Sequence, residues 1–179
     1  MQNNNFVYAD DKFDLTAKSA ILMDYNSQTI IFEKDKDKKL PIASMVKLMT
    51  IYITFQNLET GKITYEQEFT SSEHASGMGG SQVFIDPYVN YSVKDLLRSV
   101  IMASANDASV ALAEGISGSE SEFVDLMNET AKKLGMENTL YVNSTGLPAP
   151  SDGPQPDPLF PAWNIPFSSH TGYTGPHRL

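Results

Sequence analysis

Two short apolar runs rich in Ile, Lys18–Asp24 (KSAILMD) and Thr29–Glu33 (TIIFE), flank the tetrapeptide Tyr25-Asn26-Ser27-Gln28. Strand-forming runs on either side of a turn-suited tetrapeptide predict a β-hairpin. The charged run that follows, Lys34–Lys39 (KDKDKK), nearly cancels in sign and reads as a solvated loop. Pro41 then precedes a predicted helix over Ser44–Glu59, stopped at Gly61. Met45, Val46, Leu48, Met49, Ile51, Tyr52, Ile53 and Phe55 surround its axis, so the pattern predicts a helix buried on all sides.

Further along, Ser71–Ser81 (SSEHASGMGGS) is polar and Gly-rich and reads as a loop. Ser92 with Asp95 forms a near-equivalent of a capping box. It opens a helix whose stripe is Val93, Leu96, Leu97, Val100 and Ile101. Asp107–Glu114 predicts a short Ala-rich helix stopped by Gly115. Ser119 and Glu122 make a fuller capping box for a helix with Phe123, Leu126, Met127, Thr130 and Leu134 on one face and Gly135 as its stop. Thr139–Asn143 suits one more strand. Strands, then helices, then a strand predict a mixed α/β domain.

Composition changes this picture at the ends. Six of the ten prolines lie in the last 29 residues, with two of the three histidines and Trp163, and that stretch holds no Lys or Glu. Prolines at this density forbid a regular helix or central strand. The expected division is therefore 1–16 as a leader remnant, 17–150 as the folded part and 151–179 as a Pro-rich, divergent tail. At the N-terminus, Val7-Tyr8-Ala9 reads either as the end of a secretory signal, without the basic start and apolar run that should precede it, or as a polar extension.

The net charge of −9 argues against gripping nucleic acid through phosphate neutralisation. Without cysteine there are no disulfides, thiol nucleophiles or thiolate metal sites. The apolar stretch Met45–Phe55 is broken by Lys47 and falls short of the ~20 residues of a membrane span.

Two motifs bear chemistry. Ser44-Met45-Val46-Lys47 is S-x-x-K at a helix start, where residues three apart share a face. A serine hydroxyl needs a base, and a lysine whose pKa is lowered by burial and by the positive helix end can be that base. The same helix end aims N–H groups at a developing oxyanion. S-x-x-K alone is weak, arising by chance roughly once in a chain of this length; a capping serine and a snorkelling lysine are its bland reading. Against that, Lys47 interrupts an otherwise apolar helix, where burying a charge is costly. The second motif, Ser104-Ala105-Asn106, can present a hydroxyl and an amide to a substrate, or simply cap the next helix.

Together, S-x-x-K after a hairpin and S-x-N sixty residues later resemble the penicillin-recognising serine enzymes. The longer strings "SGMGGSQVF", "LLRSVIMASANDASVALAE", "FVDLMNETAKKLGMENT" and "VNSTGLPAP" are similar to low-molecular-weight D-alanyl-D-alanine carboxypeptidases, the peptidase S11 family. The resemblance runs from about Ala17 to Pro150. It implies a β-lactamase/transpeptidase-like domain, an antiparallel sheet with a helical subdomain, incomplete at the C-terminus. It makes Ser44 the acylated nucleophile, Lys47 the general base, Ser104 the relay to the leaving D-alanine and Asn106 a contact to the substrate amide. The implied substrate is a peptidoglycan stem peptide ending in D-Ala-D-Ala, and β-lactams are implied to acylate the same serine. No metal or organic cofactor is implied, and the location is the extracytoplasmic face of a bacterial envelope. Ser76–Ser81 matches a loop beside the cleft; His74 reads as a surface histidine.

The family's third motif, K-T-G, is expected roughly a hundred residues after the second, which is beyond Leu179. His170-Thr171-Gly172 is a poor substitute, with flanks that do not read as a central strand. A truncated or shifted reading frame would explain the tail; a variant with an unstructured end is the alternative. The rival readings of function are a non-catalytic remnant and a serine β-lactamase, and the latter lacks its E-x-x-x-N signature here. Oligomeric state is not encoded in these patterns.

Overall fold

The computed structural model describes residues 15–148. Residues 1–14 of the leader, and the whole tail 151–179 with His170-Thr171-Gly172, lie outside the described residues.

The hairpin forms where the apolar runs predict it. Strands β1 (Ala20–Met23) and β2 (Ile30–Lys34) pair antiparallel, Ile21 opposite Glu33 and Leu22 opposite Phe32, with an irregularity between Leu22 and Met23. The Asp24 carboxylate accepts from the Ser27 N–H at 2.7 Å and its hydroxyl at 2.6 Å, folding the turn back on itself. A second two-stranded sheet, β3 (Glu68–Thr70) with β4 (Asn90–Ser92), has strands of three residues each, too short to show alternation in sequence. The loop predicted over Ser71–Ser81 contains a one-turn helix, α2 (Glu73–Ser76), capped by the Ser72 hydroxyl.

The predicted helix at Ser44 begins as a 3₁₀ turn, Ala43–Val46, and continues as α1 (Lys47–Glu59). Its expected burial on all sides is corrected. Met49, Thr50, Ile53 and Thr54 are buried, while Met45, Leu48 and Phe55 form an exposed stripe on the opposite face. Helix α1 packs against α4 (Asn106–Ser117), α3 (Val93–Ala103) and α5 (Glu120–Lys133), and no described element covers the exposed stripe.

Helix α3 (Val93–Ala103) starts as predicted: the Ser92 hydroxyl accepts from the Asp95 N–H at 3.1 Å and donates to the Asp95 carboxylate at 2.8 Å. Ser119 and Glu122 reciprocate in the same way at the start of α5. That helix ends with Gly135 at φ +75°, the Met136 N–H reaching the Ala131 carbonyl at 2.9 Å, a Schellman closure. Helix α4 does not stop at Gly115. It runs on to Ser117 and closes at Gly118, φ +92°. Gly115 serves packing instead: a Cβ there would lie 2.1 Å from the Phe69 ring.

The core has two parts with α4 between them. One joins Val93, Leu96 and Val100 of α3 to Phe69, Ile85 and the Ala108–Leu112 stretch. The other joins Met49 and Ile53 of α1 to Ala113, Phe123, Met127 and Tyr141. The strand expected over Thr139–Asn143 is absent. The Asn128 side chain satisfies Tyr141 in its place, accepting from its N–H at 2.8 Å and donating to its carbonyl at 2.9 Å. A backbone whose polar groups are met by a side-chain amide needs no ladder.

Candidate active site

Ser44 stands exposed in the 3₁₀ turn, one turn ahead of a lysine that is buried, with 3% of its surface exposed. The Lys47 amine lies 3.2 Å from the Ser44 Oγ and donates to the Thr145 carbonyl at 2.9 Å. No carboxylate pairs with it among the described residues. The snorkelling reading of Lys47 is therefore replaced by a buried amine directed at a hydroxyl. Burial, unopposed by an anion, pushes its pKa below the ordinary lysine value. The Ser44 N–H makes no hydrogen bond among the described residues, leaving a donor at the same helix end.

What holds this pair is the loop Asn143–Leu147, whose part the motif analysis missed. Asn143 shapes it, its Oδ1 accepting from the Gly146 N–H at 2.7 Å and the Thr145 N–H at 3.2 Å. The Ser144 carbonyl accepts from Thr50 Oγ1 of α1 at 2.9 Å and Ser109 Oγ of α4 at 2.8 Å. Gly146 has φ +82°, and a Cβ on it would lie 1.9 Å from the Ala43 carbonyl oxygen and 3.1 Å from the Ser44 nitrogen. Only glycine lets the loop lie against the backbone that presents Ser44. Ala43 itself is left-handed at φ +48°. The available sequence signal was the N-S-T-G string, a turn signature after an apolar run. Its function works through backbone carbonyls, which residue type does not advertise.

The second motif builds the other side. Ser104 ends α3 in the left-handed region, φ +53° and ψ +37°, a conformation that costs a non-glycine residue about 1–2 kcal/mol. Its hydroxyl makes no hydrogen bond among the described residues, to Ser44, Lys47 or any other group. Asn106, buried at 3% exposure, opens α4. Its Nδ2 donates to the Gly79 carbonyl at 2.7 Å and its N–H to the Ser81 carbonyl at 2.7 Å, so the Gly-rich loop is fastened to it. With the amide donor engaged, Oδ1 remains available as an acceptor. Gly80, at φ +76°, is the point of closest approach: a Cβ there would meet Asn106 Nδ2 at 2.9 Å and Leu147 at 3.6 Å. Gly80 thus touches both Asn106 and the loop that carries Gly146.

Asp107, fully buried, is a further residue that the motifs did not single out. Its carboxylate accepts from the N–H groups of Val83 (3.0 Å), Ile85 (3.2 Å) and Ala108 (2.8 Å), pinning the stretch that follows the Gly-rich loop. A charged residue at the head of an Ala-rich, otherwise buried helix was the signal for it.

Among the described residues no group of three or more His, Cys, Asp or Glu side chains converges, and no helix is long and apolar enough to cross a membrane.

The sequence profile of peptidase S11, D-alanyl-D-alanine carboxypeptidase, matches residues 5–165. The D-alanyl-D-alanine carboxypeptidase DacF of Bacillus subtilis is 47% identical over 131 residues, covering 73% of this chain and 34% of that protein. The structure of the D-alanyl-D-alanine carboxypeptidase DacD from Francisella tularensis superimposes with a TM-score of 0.75 at 38% identity, over 80% of this chain and 34% of that one. Penicillin-binding protein D2 of Listeria monocytogenes, solved in its cefotaxime-bound form, gives a TM-score of 0.71 at 28% identity over 82% and 58% of the two chains. The chain spans about a third of the length of the curated relatives it matches.

Proposed function

Because the chain belongs to the D-alanyl-D-alanine carboxypeptidase family, we propose that Ser44 is an acylated nucleophile acting on a peptide that ends in D-Ala-D-Ala. The observation that carries this reading is the buried Lys47 amine 3.2 Å from an exposed Ser44 hydroxyl, with no anion beside it among the described residues. A lysine kept from water and without a counter-ion is biased toward its neutral form, and a neutral amine can accept the serine proton.

The steps follow from the positions. Ser44 Oγ attacks the carbonyl carbon of the terminal peptide bond while its proton passes to Lys47 Nζ. The Ser44 N–H, unengaged among the described residues, donates to the oxyanion that develops. Ser104 hands its hydroxyl proton to the departing D-alanine nitrogen and takes in its place the proton that Lys47 received from Ser44, so that the amine is neutral again for the second step. The C–N bond breaks and the acyl group stays on Ser44. Asn106 Oδ1 accepts from a backbone N–H of the substrate, its Nδ2 being held by Gly79. Water then attacks the acyl ester, and Lys47 takes and returns the proton that restores Ser44. A β-lactam, whose strained amide imitates the scissile bond, acylates the same oxygen; the structurally similar penicillin-binding protein D2 was solved with cefotaxime bound. The natural substrate class is the peptidoglycan stem peptide, met on the outer side of the cell membrane.

The test is D-alanine release from a synthetic peptide ending in D-Ala-D-Ala by the full-length gene product. Release by the wild type and none by Ser44→Ala is expected. Release that persists in Ser44→Ala, or a folded wild type that releases nothing, overturns the reading.

A further inference from the structure

We infer that Glu120 is a positioning residue for the Lys47 base: its carboxylate locks Ser144, and through Ser144 the Thr145 carbonyl on which the Lys47 amine rests. The inference builds on the serine-peptidase reading above and adds to it a group remote from the reacting atoms.

Ser144 is wholly buried, and three helices share its polar groups. Its N–H and hydroxyl both donate to Glu120 Oε1 of α5, at 2.9 and 2.7 Å. Its carbonyl accepts from Thr50 of α1 and Ser109 of α4. The next carbonyl along the chain is the one that receives Lys47. With Ser144 fixed on both its donor and its acceptor side, the Thr145 carbonyl has little room to move.

The other carboxylate oxygen extends the lock across the site. Glu120 Oε2 lies 2.9 Å from His74 Nε2 on α2, the helix that leads into the Gly-rich loop fastened to Asn106. One side chain therefore ties the loop behind Lys47 to α2, the turn of helix just ahead of the glycines fastened to Asn106.

An ordinary acid in a first helical turn has a simpler use, complementing the helix dipole from solvent. Glu120 does not fit that use. The capping of α5 is done by Ser119 with Glu122, and the Glu120 side chain keeps only 17% of its surface exposed. Burial pushes its carboxyl up, yet the His74 ring and the Ser144 N–H and hydroxyl more than offset this and leave it below the ordinary glutamate value. A carboxylate held charged against burial by these donors is a fixed strut.

The experiment uses the full-length gene product, its lysines labelled with ¹³C at Cε, and a fluorescent penicillin. Glu120→Ala should slow the acylation step by about 10–100-fold, the scale of an ångström-size displacement of a catalytic group. Penicillin binding before acylation should change little. The Lys47 titration midpoint should move up toward an ordinary lysine as water reaches the released amine. Glu120→Gln, whose Oε1 can still accept both Ser144 donors, should restore most of the rate and the midpoint. Glu120→Asp, charged but one methylene short, should behave like Ala and serves if the Ala variant does not fold. An unchanged Lys47 midpoint in folded Glu120→Ala or Glu120→Asp overturns the proposal, as does a Gln variant as impaired as they are. The titration decides this even if Ser44 is never acylated, so the failure of the positioning role and of the peptidase reading are told apart.

Discussion

Helices α1 and α4 face each other across the candidate site, and they are built on opposite terms. Every residue of α4 from Asn106 to Ala113 is buried, and the polar side chains inside it are bonded out, Asp107 to three N–H groups and Ser109 to the Ser144 carbonyl, while Asn106 at its head fastens the Gly-rich loop through Nδ2 and keeps Oδ1 free. Helix α1 leaves Met45, Leu48 and Phe55 exposed, and its reactive pair is lightly engaged, the Ser44 hydroxyl hydrogen-bonding only to Lys47 among the described residues. The difference separates holding from reacting. A polar group whose bonds are all taken fixes its neighbours, and one left with spare capacity next to a base can change its bonding during a reaction. The contrast also shows that large apolar side chains all round an axis do not make a helix central. The Ala-rich α4 holds that place because small side chains let α1, α2, α3, α5 and β3 all approach it.

The largest test of this contrast is on α1. Lys47→Ala should cut the rate of Ser44 acylation by at least ~10²-fold, the low end for loss of a general base, while the protein keeps its cooperative melting transition. A folded Lys47→Ala protein that acylates at the normal rate would put Lys47 among the holding groups.

Next come two glycines, one on each side. Gly146→Ala drives a Cβ into the Ala43 backbone and should cost at least the ~1–3 kcal/mol of overpacking, with acylation slowed in parallel because Ser44 is displaced. Gly115→Ala strikes the Phe69 ring on the far face of α4 and should lower stability on the same scale while the folded fraction acylates normally. Chemical denaturation with penicillin labelling measures both, and equal effects on the acylation rate would erase the distinction.

The smallest effect is one of pH. The Glu120 carboxyl is held below its ordinary value of 4.5 in the folded protein, so the unfolded chain binds the proton first as pH falls. The stability it contributes is whole above about pH 4.5 and drains away below it, with a slope of at most ~1.4 kcal/mol per pH unit. Glu120→Gln should flatten that acid limb in denaturation curves taken from pH 6 to 3, about the range over which such a carboxyl titrates. An unchanged limb would mean that Glu120 does not sense folding.

How much of this was legible before the structure depends on what carries each role. Ser44 and Lys47 could be read because their contact follows from helical spacing and their chemistry from side-chain type. The three helix caps at Ser92, Ser119 and Gly135 could be read for the same reason: each is local. The loop that holds Lys47 could not, since Thr145 acts through a carbonyl that any residue would supply. Gly115 was misread as a helix stop because its real constraint is the Phe69 ring, distant in sequence. The strand expected at Thr139–Asn143 was displaced by one amide, Asn128, whose reach across to Tyr141 no local pattern announces.

The central claim is that Ser44 is the residue that becomes covalently modified. Incubating the full-length gene product with a penicillin, digesting it and locating the adduct by mass spectrometry tests this most directly. The account predicts one adduct, on the peptide that carries Ser44, and none in Ser44→Ala. An adduct on Ser104 or any other residue, or labelling that survives Ser44→Ala, would contradict it.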